Sequence, residues 1–110
     1  MSETRDEGFV LHSEAAKDIA NIWEFIAEGS PLAARRVRED ILDAIHRLVS
    51  FPNQGQRRPD LTSRPLRFIS VRNYLIVYAP DERPLVVIAV IHGRRSPRVI
   101  AAMLRGREPE

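Results

Sequence analysis

An uninterrupted run of seven apolar residues at positions 85–91 constrains this chain more than any other feature of its sequence. A strand with one face in water alternates apolar and polar residues, whereas this run is apolar at odd and even positions alike. We therefore predict a central β-strand whose two faces are both covered by other parts of the chain. A membrane-spanning helix needs roughly 20 apolar residues, so the run is too short to be one.

Two segments before this strand carry apolar residues at helical spacing. Ser13 is the predicted N-cap of the first helix. Gly29, Ser30 and Pro31 are typical of the end of one helix and the start of another, and the second helix is predicted to run from 31 to about 49. Two amphipathic helices joined by so short a turn predict an antiparallel helical hairpin. The two apolar stripes consist of Ala15, Ile19, Ile22, Trp23 and Ile26, and of Ala34, Val37, Ile41, Ile45 and Leu48.

Shorter segments complete the predicted fold. Strands are expected at 8–12, 66–71 and 74–79, a loop at 51–60 and a final helix at 98–105, opened by Ser96 and Pro97. A two-residue turn, Arg72-Asn73, joins the second and third strands. The order β-α-α-β-β-β-α predicts an α+β fold, in which a helical hairpin packs on one face of a small, mainly antiparallel sheet. The residues expected to be largely buried are Trp23, Ile26, Val37, Ile41, Ile45, Val86, Ile88 and Val90.

Length and composition set further limits. The chain has 110 residues, 44% of them hydrophobic and 29% charged, which predicts one domain over 1–110. We expect a flexible N-terminus at 1–7 and a short C-terminal helix and tail at 96–110. The absence of cysteine excludes disulfides, thiolate metal ligands and cysteine nucleophiles. The polar first residues lack the features of a secretory signal, so we expect a cytoplasmic protein.

Arginine dominates the basic residues and is unevenly distributed. Sixteen of the 17 basic residues are arginine, whose planar fork suits phosphates and carboxylates. Residues 1–43 hold ten acids against five bases, a balance of −5, and residues 44–107 hold three acids against twelve bases, a balance of +9. The asymmetry has two interpretations: the second half meets an anionic partner, or its charges are simply solvated.

Arginines are therefore the main candidates for a binding site. Residues of one parity on neighbouring strands share a sheet face, so several arginines are expected to converge opposite the helical hairpin. There they would suit an RNA or DNA backbone or an acidic protein segment. The candidates for contacting a partner are Arg57, Arg58, Arg67, Arg72, Arg94, Arg95 and Arg98.

The three histidines give little support for catalysis. His12, His46 and His92 lie in different elements and lack the spacing of a helical metal site, so we predict no metal and no cofactor. His12 and His46 are expected at the surface or its boundary. His92 follows the central strand and precedes two arginines, where it is either an acid–base group beside an anion site or a residue that fixes the turn.

Several short segments together resemble the toxins of the RelE/ParE superfamily, the toxic halves of bacterial type II toxin–antitoxin pairs. The resemblance extends from Phe9 to about Arg95, and the order and spacing of the segments make it specific. The tryptophan of the first helix and the ending His-Gly-Arg-Arg resemble the ParE branch. The segments are LHSEAAKDI (11–19), IWEFIA (22–27), Ala33-Ala34 to Leu48, FPNQG (51–55), Leu66-Arg67, RNYLIVY (72–78) and IHGRR (91–95).

The resemblance implies one of two mechanisms. ParE-like members are non-enzymatic inhibitors of DNA gyrase, whereas RelE-like members are ribosome-dependent mRNA endonucleases that carry a His or Tyr near the C-terminus. The residues after Arg95 include neither, so we expect a gyrase inhibitor without catalytic residues. A third interpretation is an inactive relative that only binds an antitoxin or DNA. The alternative nuclease site would consist of His92, Arg67, Arg72 and Arg94.

The resemblance also implies a protein partner. A toxin that a cell keeps must be held inactive, so we expect a cognate antitoxin with a DNA-binding N-terminal domain and a flexible C-terminal segment. The two would form a toxin–antitoxin hetero-oligomer. The segment would fold on binding, laying an amphipathic helix along the hairpin, with a strand added at a sheet edge as a further contact. Its acidic residues would meet the arginine-rich half of the chain.

Overall fold

The order of elements is the predicted one, and the α+β fold is confirmed. The computed structural model describes residues 8–107; the N-terminal segment expected to be flexible, 1–7, and the last three residues lie outside that range. Over the described range, no helix is long and apolar enough to cross a membrane. The elements are β1 (Phe9–Leu11), α1 (Ser13–Ala27), α2 (Pro31–Ser50), β2 (Arg67–Val71), β3 (Tyr74–Ala79), β4 (Leu85–His92) and α3 (Pro97–Arg105).

Strand β4 lies inside a four-stranded sheet of order β1-β4-β3-β2. It pairs in parallel with β1 and antiparallel with β3, and β2 forms the far edge as the antiparallel partner of β3. Two of the three strand pairs are therefore antiparallel, as expected. The central position predicted for the run at 85–91 is confirmed.

Both faces of β4 are buried, against different parts of the chain. One face lies beneath the helical hairpin, and the other meets α3 and the segment 61–66. The alternation of faces is interrupted because the β3–β4 register shifts between Val77 and Tyr78, which leaves Ile88 without a directly paired residue. The hairpin side is formed by Leu85, Val87 and Val90, and the opposite side by Ile88, Ala89 and Ile91.

The helices begin at side-chain caps, one of which differs from the prediction. Before α2 and α3, the hydroxyls of Ser30 and Ser96 accept from the backbone N–H three residues later, at 3.1 and 3.3 Å, and proline follows each serine. The prediction of Ser13 as the cap of α1 is wrong by one residue. His12 is the cap, and its Nδ1 accepts from the N–H of Glu14 at 3.0 Å. His12 is only 6% exposed, so the expectation that it lies at the surface or its boundary is wrong; its ring is turned toward the backbone of α1, which it caps.

Most of the predicted core is buried, but three members are only half-buried. The expectation is wrong in degree for Trp23, Ile26 and Val86: Ile26 and Val86 pack at the edges of the two cores, whereas Trp23 packs against neither. Trp23 faces an open groove because the apolar stripe of α1 is wider than the sheet face that the helix covers. The members confirmed as buried are Val37, Ile41, Ile45, Ile88 and Val90.

A buried ion pair joins the residue after α3 to the first helix. Arg107 donates to both carboxylate oxygens of Asp18, at 2.6 and 3.1 Å, and its side chain is only 9% exposed. The pair also serves the edge of β4: Asp18 accepts from Val90 N–H at 2.9 Å, and Arg107 donates to Ile88 O at 3.2 Å. Strand β1 pairs only with residues 85–87 of β4. The side chains of Asp18 and Arg107 therefore bind backbone groups of β4 beyond residue 87, which a longer β1 would otherwise bind.

We expect Arg107→Ala to lower the free energy of unfolding by about 3 kcal/mol, because removing one partner leaves the other charge buried and uncompensated. Urea denaturation measures this loss. Arg58→Ala is the matched control, since Arg58 also makes two hydrogen bonds to a carboxylate, that of Asp60, but at an exposed site. Equal losses in the two variants would contradict a structural role for the buried pair.

Candidate binding surfaces

The seven candidate arginines lie at two ends of the sheet and do not converge. Arg67 begins β2 and pairs with Tyr78, whereas His92 ends β4 and pairs with Tyr74, four residues away along β3. At about 3.4 Å per residue, the two ends are about 14 Å apart. The expected convergence opposite the hairpin is therefore not found. One end, the loop end, has Arg57, Arg58 and Arg67; the other, the turn end, has Arg72, Arg94, Arg95 and Arg98.

At the loop end, arginines bind groups within the molecule. Arg67 lies on the hairpin side of β2, and its Nη1 donates to Gly55 O at 2.7 Å. The two hydrogen bonds from Arg58 hold the pKa of the Asp60 carboxyl below its ordinary value. Arg57 is exposed and shares a small cleft of about 90 Å³ with Arg67. Of the three candidate arginines at this end, only Arg57 makes neither an ion pair nor a hydrogen bond with its side chain within the part of the chain that the structure describes.

At the turn end, one arginine is paired and three are not. Arg72 has a φ of 55°, in the left-handed region, and its Nε donates to Asp40 Oδ2 of α2 at 2.7 Å. This contact directs Arg72 toward the hairpin. Among residues 8–107, the other arginines are exposed and form no ion pair within 4.0 Å. These are Arg94, Arg95 and Arg98, which give this end of the sheet a positive potential.

His92 has the geometry of a residue that fixes a turn. Its Nδ1 accepts from the N–H of Arg94 at 3.1 Å, and its ring packs edge-on against Tyr74, with 5.4 Å between the ring centres. This hydrogen bond occupies the lone pair of Nδ1. Of the other residues in the alternative nuclease set, Arg67 is at the far end of the sheet and Arg72 is bound to Asp40.

The other two histidines are also engaged in packing or capping. His46 is exposed on α2, as expected, and lies edge-on to Phe9 with 5.2 Å between the ring centres. His12 caps α1. Among residues 8–107, no three His, Asp or Glu side chains are grouped as a metal ion would require.

A cleft of about 440 Å³ lies beside His92, between α1 and the ends of β3 and β4. Sequence reasoning identified only its histidine and Arg95. The remaining members come from separate elements, so no local pattern in the sequence indicates that they meet. They include the polar residues Asn21, Asn73 and Tyr74 and the apolar residues Ile22, Phe25 and Met103.

A second depression, the hairpin groove, lies between α1 and α2 next to β1 and has a volume of about 430 Å³. Trp23 lines it together with other apolar side chains, and Glu24 and Arg38 are its charged members. The groove was not predicted, since the periodicity of Trp23 marked it only as part of the apolar stripe. The full lining is Leu11, Ala16, Ile19, Ala20, Trp23, Glu24, Arg38 and Leu42.

Tyr78 holds the loop between α2 and β2 from inside the sheet. Its Oη donates to Pro52 O at 2.7 Å and accepts from Gly55 N–H at 2.9 Å. Burial raises the pKa of this phenol. Position 55 requires glycine, because a Cβ there would lie 2.7 Å from Tyr78 Oη and 2.8 Å from Phe68 O. The approach of loop to sheet is therefore close and specific.

Comparison with known proteins gives one family and one fold. A family model described as the ParE toxin of type II toxin-antitoxin system, parDE, matches residues 9–97. A solved structure of the chromosomal ParDE TA system from P. aeruginosa has a similar fold, with a TM-score of 0.64 and 17% sequence identity. The similarity covers 80% of this chain and 97% of that chain. No curated protein matches the sequence.

Tyr78 predicts a loss of stability at alkaline pH. Because the pKa of Tyr78 is raised in the folded state, its contribution to the free energy of unfolding is complete at pH values below the ordinary phenol pKa of about 10. Above that pH the unfolded chain releases the proton first, so stability falls as pH rises through the folded-state pKa. We expect the free energy of unfolding, measured in urea from pH 8 to 11, to fall more steeply in the wild type than in Tyr78→Phe.

The same substitution has a second expected effect near pH 7. Tyr78→Phe leaves Pro52 O and Gly55 N–H without their partner, at a cost of about 1–3 kcal/mol. Parallel pH profiles for the two proteins would contradict the raised pKa, whatever the difference at pH 7.

Proposed function

The chain belongs to the ParE toxin family of type II toxin–antitoxin systems, and from this premise we propose that it binds DNA gyrase and blocks replication, without catalysing a reaction. ParE-like toxins act in this way, and binding requires a surface rather than a catalytic set. A protein that acts on gyrase works where the chromosome is, so we also propose a cytoplasmic location.

The environment of His92 is the observation that carries the proposal. Cleavage of RNA needs a base for the 2′-hydroxyl, an acid for the leaving oxygen and cations around the phosphate. The lone pair of His92 Nδ1 is used by Arg94 N–H, and Arg67 is about 14 Å away along the sheet. These positions favour a binding protein over the alternative mRNA endonuclease.

A type II toxin has an antitoxin, and we propose the hairpin groove as the docking site for the antitoxin's C-terminal segment. The groove is apolar, already formed and contains Trp23, a residue type that often dominates binding energy. An amphipathic helix places its apolar residues into such a groove at spacings of three and four. One acidic and one basic side chain, Glu24 and Arg38, would fix its direction.

Long-range electrostatics would assist this association. Residues 44–107 carry a balance of +9, and the free arginines at the turn end are exposed. An acidic antitoxin would therefore be attracted before docking, and the association rate should fall as salt is added. The disordered antitoxin segment would lose conformational entropy when it folds on binding, whereas the toxin would keep its own fold in the resulting hetero-oligomer.

The gyrase proposal predicts which process fails first. Induction of the chain should stop DNA synthesis before protein synthesis, and the purified protein should inhibit supercoiling by gyrase. His92→Ala should keep this toxicity and lose only some thermal stability. A nuclease that used His92 would lose about 10²–10⁴ in rate. Immediate loss of translation with cut transcripts would support the endonuclease instead.

The antitoxin proposal predicts a selective effect of Trp23. Trp23→Ala should weaken antitoxin binding by about 2 kcal/mol, because a groove anchor is removed, while gyrase inhibition is retained. Phe25→Ala is the matched control: this aromatic lies on the same helix but lines a different cleft. Calorimetric titration with the product of the adjacent small open reading frame measures both affinities. Unchanged affinity in Trp23→Ala would place the antitoxin elsewhere.

A further inference from the structure

The loop at 51–57, called here the anchor loop, presents an exposed aromatic side chain. Phe51 follows the last residue of α2 and is 65% exposed. A single exposed apolar residue is common on protein surfaces and means little by itself. The significance of Phe51 depends on how rigidly its loop is held and on what surrounds it.

The backbone of the anchor loop is fixed at several points. Tyr78 binds Pro52 O and Gly55 N–H, and Arg67 donates to Gly55 O at 2.7 Å. Gln56 exchanges two backbone hydrogen bonds with Phe68 of β2, at 2.9 and 2.8 Å. The loop thus has the rigidity of the sheet edge, and Phe51 is carried on a backbone that loses little freedom when a partner binds.

The surroundings of Phe51 combine apolar surface with unpaired positive charge. Phe51 and Pro52 line an open depression of about 670 Å³ together with Arg47. Arg57 lines an adjoining cleft that shares Asn53 with this depression and also contains Arg67 and one carboxylate, that of Asp81. Within residues 8–107, neither Arg47 nor Arg57 forms an ion pair within 4.0 Å. The surface therefore has an apolar centre and a rim on which arginines outnumber carboxylates.

The anchor loop is separate from the hairpin groove. The depression around Phe51 and the groove share no lining residue. Along α2, the groove residue nearest the loop is Leu42, which lies five residues before Arg47 and nine before Phe51, about 7.5 and 13.5 Å at 1.5 Å per residue. One partner can occupy the groove without using Phe51.

We propose that the anchor loop is the surface through which this toxin binds its protein target, with Phe51 inserted into an apolar pocket whose rim carries carboxylates. The inference rests on the proposed function, in which that target is gyrase. Rigid aromatic anchors have few torsions to immobilise, so a larger share of the contact energy remains as affinity. Charge complementarity selects the occupant, since an acidic rim pairs with Arg47 and Arg57 and a basic one is repelled.

The test compares two exposed phenylalanines. Phe51→Ala should raise the toxin concentration needed for half-inhibition of gyrase by about thirtyfold, the effect of losing an interface anchor. It should leave thermal stability and antitoxin affinity close to wild type. Phe25→Ala, which removes a 76% exposed ring from α1, should inhibit as the wild type does. Phe51→Tyr should retain most inhibition because it keeps the ring.

A second variant tests the rigidity of the loop. Tyr78→Phe keeps Phe51 but removes both hydrogen bonds from the phenol, so inhibition should weaken even at temperatures where the variant is fully folded. Full inhibition by Phe51→Ala, or equal loss in Phe25→Ala, would overturn the proposal. Loss of antitoxin affinity in parallel with inhibition would also overturn it, because the loop would then belong to the antitoxin interface.

Failure of the gyrase assignment gives a different result. A wild-type chain that arrests growth without inhibiting gyrase would refute the proposed target. The growth arrest of Phe51→Ala against Phe25→Ala would then still decide whether the anchor loop binds the actual target. A wild-type chain that neither arrests growth nor inhibits gyrase would refute both.

Discussion

The burial of β4 on both faces is the constraint on which the rest of the structure depends. Each face needs an apolar cover, and the chain supplies the helical hairpin for one and α3 with the segment 61–66 for the other. Within residues 8–107, neither face of β4 is then open to a partner. The candidate binding surfaces lie on the outer sides of the helices, at the strand ends and in the loops. The hairpin groove, the two arginine-bearing ends and the anchor loop are all of this kind.

Sequence periodicity was sufficient for the fold because each element has a local signal. The apolar run gave β4 its central position, and serine–proline pairs marked the starts of α2 and α3. Periodicity also identified the apolar side of α1, but not which part of the chain covers it. Trp23 was therefore assigned to the core, although its ring borders the groove. Only the structure shows that the apolar stripe of α1 extends beyond the surface that packs against it and continues into the groove.

The arginines were harder to place because many of their partners, backbone carbonyls and carboxylates alike, are distant in sequence. Arg64 donates to Leu104 O and Arg107 O, 40 and 43 residues away in the sequence. Arg107 donates to the carboxylate of Asp18, which is 89 residues away. No local pattern separates these internal donors from free arginines such as Arg94. Parity along the strands suggested a shared face, yet Arg67 and Arg72 contact the loop and the hairpin instead. The charge asymmetry left two interpretations open, an anionic partner or solvated charges, and neither gives a binding position.

If the antitoxin docks in the hairpin groove and the target at the anchor loop, as proposed, the distance between the two sites sets a requirement on inhibition by the antitoxin. A helix in the hairpin groove leaves Phe51 about 13.5 Å away along α2, beyond direct cover. An extended chain spans that distance in about four residues. An antitoxin segment that continues a few residues past the groove therefore covers the anchor loop, whereas one that ends within the groove blocks the target only by its bulk. On these two proposals, the length of the segment beyond its helix contributes to how completely the toxin is silenced.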